Sequence, residues 1–494
     1  MNPPPLPPSL AHQLALARAR GSDRPLLTMD GRSWSVADVD ALAAGLRATL
    51  DHEGFEPGAP VLVMLDNHPL HVAVILALAT SGRPWLPIGA RQKAAQIRHC
   101  LGVLPTRHAI VEERFRSVLA GAGFEGRVLA PLSAEGSCPV PPIEPEPGAL
   151  RAVMFTSGTT GPPKGVRVSE QMLAASGHFA GIAGAAGPAE TFLLWEPLHH
   201  IGGAQMIGMA LETGARLAMV ERFAAGSFWR QVVETGATRL HYLGGILDIL
   251  MRRPPSPCDR AHAVLRAFGA GARPLTWRAF EERFAIRLVE VYGMTEASSF
   301  TTLNEERMVG SIGRPLPWFD VALRDAAGRP ADEGEIVVRE RMPHLLTSGY
   351  VGAASPVVGG WLHTGDIARR DADGTLAFVG RLKDCMRVRG ENVAAFEVEA
   401  VLAAHPAVAE CAAVGVAAEI GEEDILVYVR ATAPLDPADL LTWAEPHLST
   451  WQMPRYVAFV DDFERTPSER VRKAALSRSV DGVWRRDGNS INYK

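Results

Sequence analysis

Short, wholly apolar runs alternate along the chain with longer segments whose apolar positions recur at helical spacing, and turn residues separate the two. Val61-Leu62-Val63-Met64-Leu65 predicts a buried strand, and after Asn67 the stretch from Val72 to Ala79 predicts a helix. The order recurs. Leu193-Leu194-Trp195, Arg216 to Val220, Val264 to Phe268 and Leu288 to Val291 read as strands, with a helix capped by Ser227 and ending at Gly236 and another from Thr276 to Phe284. Such alternation predicts an α/β layered fold with a largely parallel sheet. Ser133 to Gly148, rich in Pro, Ser and Gly, reads as a surface connection.

The pattern changes character near residue 380. The C-terminal stretch predicts a helix after Asn392, strands at Cys411 to Val416 and Ile425 to Val429, and a helix capped by Asp436 with Pro437 in its first position. The 494 residues exceed what one hydrophobic core usually serves. The expected division is a large N-terminal domain, residues 1–380, and a small C-terminal α+β domain, residues 381–494.

One strand leads into chemistry. Ala152-Val153-Met154-Phe155 is followed by Thr156, Ser157, Gly158, Thr159, Thr160 and Gly161, then by Pro162, Pro163 and Lys164. Glycines without Cβ let successive N–H groups turn inward on an anion, while the hydroxyls add donors and the lysine adds charge. The run is not the P-loop of NTPases, because two prolines stand before the lysine where Gly-Lys-Ser/Thr would open a helix.

The segment from Thr156 to Gly165 resembles the signature loop of the adenylate-forming superfamily: acyl-CoA synthetases, peptide-synthetase adenylation domains and luciferases. The resemblance covers residues 20–478 with five ordered motifs, and it implies the superfamily's fold, a large layered α/β domain with a small mobile C-terminal domain. It also implies a two-step reaction, in which a carboxylate attacks the α-phosphate of ATP and a thiol then displaces AMP. Two anions must meet, so the site has to neutralise charge and hold the reactants in line.

By the same resemblance, Thr156 to Gly161 with Lys164 cradle the β- and γ-phosphates. In Tyr292-Gly293-Met294-Thr295-Glu296, Glu296 holds Mg²⁺, Thr295 lies near the α-phosphate and Tyr292 lies against adenine. Asp366 binds both ribose hydroxyls, and Arg381 contacts ribose or phosphate. His199 and His200 match an aromatic-His pair, with His200 at the boundary between the carboxylate and thiol pockets. Tyr242, Gly244, Gly269 and Ala270 fall where the superfamily lines its acyl pocket, with Gly271 and Ala272 on the nucleotide side; the glycines would leave room for substrate. No carboxylate stands out there to bind an amino group, which favours an acyl over an amino-acid substrate. Lys383 occupies the hinge, and Arg389, Gly390 and Glu391 resemble the segment that admits pantetheine. That segment, with Phe228-Trp229 and the Tyr-Leu-Gly run, looks closest to carnitine- and crotonobetaine-type CoA ligases.

One position departs from the pattern. Thr466-Pro467-Ser468-Glu469-Arg470 matches a stretch whose last residue is normally a lysine bridging the attacking carboxylate and the α-phosphate. Arg470 keeps the charge but aims a planar fork instead of an ammonium, with Arg472 or Lys473 as substitutes. Gly352 to Gly360 also lacks the usual Pro-Glu-Ala-Thr.

Composition narrows the setting. Lys plus Arg number 50 against 55 Asp plus Glu, a net charge of −5 with no long basic run, which argues against nucleic acid as a partner. The five cysteines are odd in number and far apart, which suits a reducing cytoplasm. The longest apolar stretch, Val72 to Ala79, is too short to span a bilayer. The expectation is an ATP- and Mg²⁺-dependent acid–thiol ligase that forms an acyl-CoA from a small carboxylic acid. Transfer to a carrier-protein phosphopantetheine is the alternative within that chemistry, and a non-catalytic nucleotide- or acyl-binding paralogue is the alternative outside it.

Overall fold

The computed structural model describes residues 3–90, 92–130, 145–156, 163–388, 391–418, 423–465 and 471–486, and gives the backbone alone at 383, 387, 391 and 392. Two compact units emerge. One is built from segments up to Val321 together with Val338–His363, and the other from Ala322–Val337 and from Thr364 onward.

Two sheets organise the large unit. An edge hairpin of β1 (Pro25–Met29) and β2 (Arg32–Ser35) is followed by β3 (Val61–Met64), β4 (Trp85–Pro87), β5 (His108–Val111), β6 (Arg127–Leu129), β7 (Leu150–Thr156) and β8 (Lys164–Ser169). The six from β3 to β8 form one sheet in the order β6-β5-β3-β4-β7-β8, parallel except where β8 runs back along β7. Every residue of β3 is buried, the run of Val, Leu and Met that a doubly covered parallel strand requires.

The second sheet takes β9 (Thr191–Leu194), β10 (Arg216–Met219), β11 (Arg239–Leu243), β12 (Arg266–Ala270), β13 (Arg287–Tyr292), β14 (Thr302–Leu303) and β15 (Ser311–Pro315). Its order is β15-β14-β13-β12-β11-β9-β10-β1-β2, with parallel pairing from β13 through to β1. The carboxyl ends of β9, β11, β12 and β13 share one edge, where open parallel sheets hold ligands.

The helix Phe228–Thr235 stops at Gly236 in the left-handed conformation, φ 63°, as expected, but Ser227 does not cap it: its side chain makes no cap hydrogen bond, and its hydroxyl donates to Ala224 O at 3.4 Å instead. Behind β7, Arg151 meets Glu170 at 3.0 Å with both side chains 1% exposed, and the guanidinium also donates to the carbonyl of Leu78. A buried pair of this kind is costly to break from one side, so it fixes the start of the strand that carries the hydroxyl-rich loop.

The small unit holds a four-stranded sheet in which Val408–Ala417 pairs antiparallel with Glu423–Ala431, and that strand pairs parallel with Tyr456–Phe459. The helices Ala395–Leu402 and Pro437–Ala444 pack over it, and Asp436 caps the second by accepting from the Ala438 N–H.

Candidate active site

The hydroxyl-rich segment lies between two antiparallel strands. β7 ends at Thr156, β8 begins at Lys164, and these two residues face each other across the ladder. Ser157, Gly158, Thr159, Thr160 and Gly161 lie outside the described residues. The strand after Lys164 is not a helix start but a return strand, and it docks a distant segment. The N–H of Arg167 donates to Gly349 O at 3.1 Å, that of Val351 donates to Gly165 O at 2.8 Å, and the Thr347 hydroxyl donates to Arg167 O at 2.8 Å.

This docking sets Tyr350 beside Lys164. The ammonium lies 4.8 Å from the centre of the Tyr350 ring, and the phenol donates to Glu296 Oε1 at 2.9 Å. Burial raises the Tyr350 phenol above its ordinary range, and the Glu296 carboxylate adds to the shift. The phenol therefore stays protonated as the donor. Glu296 is 5% exposed and sits in the short turn Thr295–Ala297 just past β13, its carbonyl accepting from the Thr347 N–H at 2.8 Å. The turn needs special backbone. Ser298 and Ser299 hold positive φ, and a Cβ on Gly293 would fall 2.2 Å from Phe300 Cα. Tyr292, 7% exposed, ends the strand, and Met294 is extended before the turn.

Glu296 suits magnesium in the way the sequence implies. Among the described residues no group of three or more His, Cys, Asp or Glu could hold a metal by itself. A single oriented carboxylate is what Mg²⁺ uses when phosphate oxygens and water complete its shell. Tyr350 supplies the outer contact that fixes that carboxylate. The sequence pattern does not reveal Tyr350, because a lone tyrosine after Gly349 carries no periodic signal.

Beneath this turn lies a carboxylate that the sequence did not single out. Glu290, on β13, accepts from the N–H groups of Gly271 and Ala272 and, at 2.6 Å, from the Tyr242 hydroxyl. Burial pushes its carboxyl up to about 8, against the lowering exerted by those three donors. Tyr242, which the resemblance places at the acyl pocket, is 2% exposed within the hydrophobic core and braces Glu290.

The glycines also correct the expectation that they leave room for substrate. A Cβ on Gly244 would meet Gly271 O at 1.8 Å, and one on Gly269 would meet Tyr242 O at 2.0 Å. Neighbouring backbone fills those spaces. Gly271 itself has φ 88°, and Ala270 pairs with Leu243 at the end of β12.

His199 and His200 precede the helix Ile201–Thr213, with ring centroids 4.2 Å apart. His199 lies over Gly89, where a Cβ would stand 2.8 Å from its Nε2.

In the small unit, Asp366 is 3% exposed and faces Arg381 across paired strands, with Arg381 Nε 3.0 Å from Asp366 Oδ1. The expected ribose-binding pair is thus brought together. Lys383 lies in the short turn Leu382–Asp384, and Glu391 opens the strand Glu391–Ala394. Arg389, Gly390 and Arg470 lie outside the described residues. The two substitutes considered for Arg470 have other partners: Arg472 pairs with Glu464, and Lys473 meets Glu399 at 2.6 Å.

This geometry makes two outcomes testable. Tyr350→Phe keeps the ring under Lys164 and removes only the hydroxyl. The magnesium concentration for half-maximal activity should rise about ten- to a hundredfold, read by titrating Mg²⁺. For Glu290, a carboxyl raised above its unfolded value stabilises the fold fully below about pH 4.5 and loses that contribution as pH rises through about 8. Thermal unfolding from pH 5 to pH 9 should therefore show Tm falling by about 2–5 °C more in the wild type than in Glu290→Gln.

Comparison with known proteins identifies the family. Residues 14–351 match the AMP-binding enzyme family, and residues 397–470 match the AMP-binding enzyme C-terminal domain. A sulfoacetate–CoA ligase from Cupriavidus necator is 32% identical, covering 95% of this chain and 97% of its own length. A crotonobetaine/carnitine–CoA ligase from Shigella dysenteriae is 31% identical over 86% of this chain and 89% of its own. Among solved structures, ATP-bound MatB from Rhodopseudomonas palustris superposes with a TM-score of 0.87 over 98% of this chain and 99% of its own, at 23% identity. The chain belongs to the AMP-binding enzyme family, and so to the adenylate-forming superfamily that its hydroxyl-rich loop resembles.

Proposed function

We propose that the protein is an ATP-dependent, AMP-forming acid–thiol ligase that activates a small carboxylic acid as its adenylate and passes the acyl group to coenzyme A. The observation that carries this reading is the meeting of Lys164, Tyr350 and Glu296 in the large unit. A cation and an oriented carboxylate at the mouth of a hydroxyl-rich hairpin suit a polyphosphate with its magnesium. Bound magnesium would supply charge neutralisation on the phosphates, held by Glu296.

The chain's own groups then have defined tasks. Lys164 and the hydroxyls from Thr156 to Thr160 hold the outer phosphates, and Thr295 stands near the α-phosphate. Asp366 accepts from the ribose hydroxyls and is itself held by Arg381. Arg470 brings positive charge to the attacking carboxylate, a role that adjacent Arg472 and Lys473, committed to Glu464 and Glu399, support less well. His200 guards the entry of the thiol. Lys383 as the hinge before the C-terminal domain, residues 381–494, and Arg389 to Glu391 as the pantetheine segment belong to the same proposal. So does a cytoplasmic setting, supported by Cys100, Cys258, Cys385 and Cys411, which form no disulfide among the described residues. No helix among the described residues is long and apolar enough to cross a membrane.

The relatives act on different acids, so the acid is not inherited from any of them. The test is carboxylate-dependent exchange of labelled pyrophosphate into ATP across an acid panel. Exchange with at least one acid, followed by CoA thioester formation, is the expected result. Exchange without the thioester points to a carrier-protein acceptor, and retained ATP binding without exchange points to a non-catalytic paralogue. Arg470→Lys should change the exchange rate by about tenfold or more if the residue touches the reacting groups.

A further inference from the structure

Three buried polar side chains near the start of the helix Ile201–Thr213 have no task in the ligase scheme. Glu196 follows β9 and is 7% exposed, and His241 lies on β11 and is 8% exposed. Glu196 Oε2 and His241 Nδ1 stand 2.5 Å apart, yet neither atom is aligned in a hydrogen bond. Gln205, on the helix itself, is 1% exposed, and neither its amide oxygen nor its amide nitrogen has a partner among the described residues. A buried amide left unsatisfied is costly, and native folds keep few of them without a reason.

Glu196 and His241 meet beside the first turn of that helix. A Cβ on Gly202 would fall 2.8 Å from both oxygens of Glu196, so the carboxylate lies directly against the first turn of the helix. Gln205 is three residues further along, on the same side of that helix. His199 and His200 immediately precede it. His241 points to the sheet face opposite Tyr242 and packs against Phe268 of β12, ring centroids 4.7 Å apart. The turn carrying Glu196 is clamped as well. Asn67 donates to Glu196 O at 2.9 Å and accepts from the Leu198 N–H at 3.0 Å. The carboxylate is thus held firmly beside the histidines.

We propose that Glu196, His241 and Gln205 form the end wall of the acid pocket and select carboxylic acids whose remote end carries a hydrogen-bond donor, a hydroxyl or an amine. This rests on the ligase reading. A carboxylate only accepts, so the matching group must donate. A second anion at that end would meet Glu196 with like charge, and a bare alkyl end would leave the Gln205 amide buried without a partner among the described residues. Sites built to hydrogen-bond a substrate reject the analogue that lacks the group far more strongly than apolar pockets reject an extra methylene.

The test measures kcat/KM for pyrophosphate exchange with two matched series: butanoate, 4-hydroxybutanoate, 4-aminobutanoate and succinate, then benzoate, 4-hydroxybenzoate, 4-aminobenzoate and terephthalate. In at least one series the hydroxy or amino acid should exceed both the parent and the diacid by tenfold or more. Gln205→Met, which keeps the volume, should narrow that preference by about tenfold towards the parent acid. Glu196→Gln should erase the advantage of the amine over the diacid, and thermal unfolding of each variant shows whether it is folded. A wild type that prefers the parent acid or the diacid overturns the inference while leaving the ligase reading intact. A folded Gln205→Met that scales every acid by one factor also overturns it. Absence of exchange with every acid overturns the ligase reading and this inference with it.

Discussion

The hydroxyl of Tyr350 on the carboxylate of Glu296 ties together stretches of chain that are far apart in sequence. Lys164 reaches the same ring from the end of the hydroxyl-rich hairpin, and Thr347 holds the backbone of the Glu296 turn. Lose the docking of β8 onto Gly349 and Val351, and the cation, the phenol and the carboxylate no longer share a location. The constraint is electrostatic. Joining a carboxylate to a phosphate requires opposing charge placed beforehand, because reorganising it during reaction would cost what catalysis gains.

The glycines near this centre serve backbone geometry more than substrate volume. Gly244, Gly269 and Gly293 each sit where a Cβ would strike main-chain atoms of a neighbouring segment. That closeness presents the N–H groups of Gly271 and Ala272 to Glu290, and Tyr242 completes the ring of donors. A buried carboxylate satisfied by three donors turns a flexible glycine-rich turn into a fixed floor.

Much of the scaffold was legible in the sequence, since local pattern encodes it. The apolar run at Val61, the Ser227 and Gly236 bounds of one helix and the Asp436-Pro437 start of another match the observed elements. Asp366 faces Arg381, and Glu296 lies in a turn just past β13, at positions the resemblance had singled out. What escaped has no local signature. Pro162 and Pro163 hide the return strand beyond them, and Tyr350 gains its role only through β8. Glu196, just past β9, and His241, in the middle of β11, meet from far apart along the chain, a contact that no periodicity announces. The crowding around Gly244 and Gly269 escaped for the same reason, because the backbone their Cβ positions would strike belongs to other segments.

The departure at Arg470 leaves the central claim open to direct chemical challenge, since an arginine can keep the charge without keeping the aim. The decisive measurement follows oxygen-18 from the carboxylate of an accepted acid during turnover with ATP, magnesium and CoA. Attack on the α-phosphate predicts one labelled oxygen in the phosphate of AMP and none in pyrophosphate. Label in inorganic phosphate with ADP as product, or thioester formed with no label in AMP, would contradict the account.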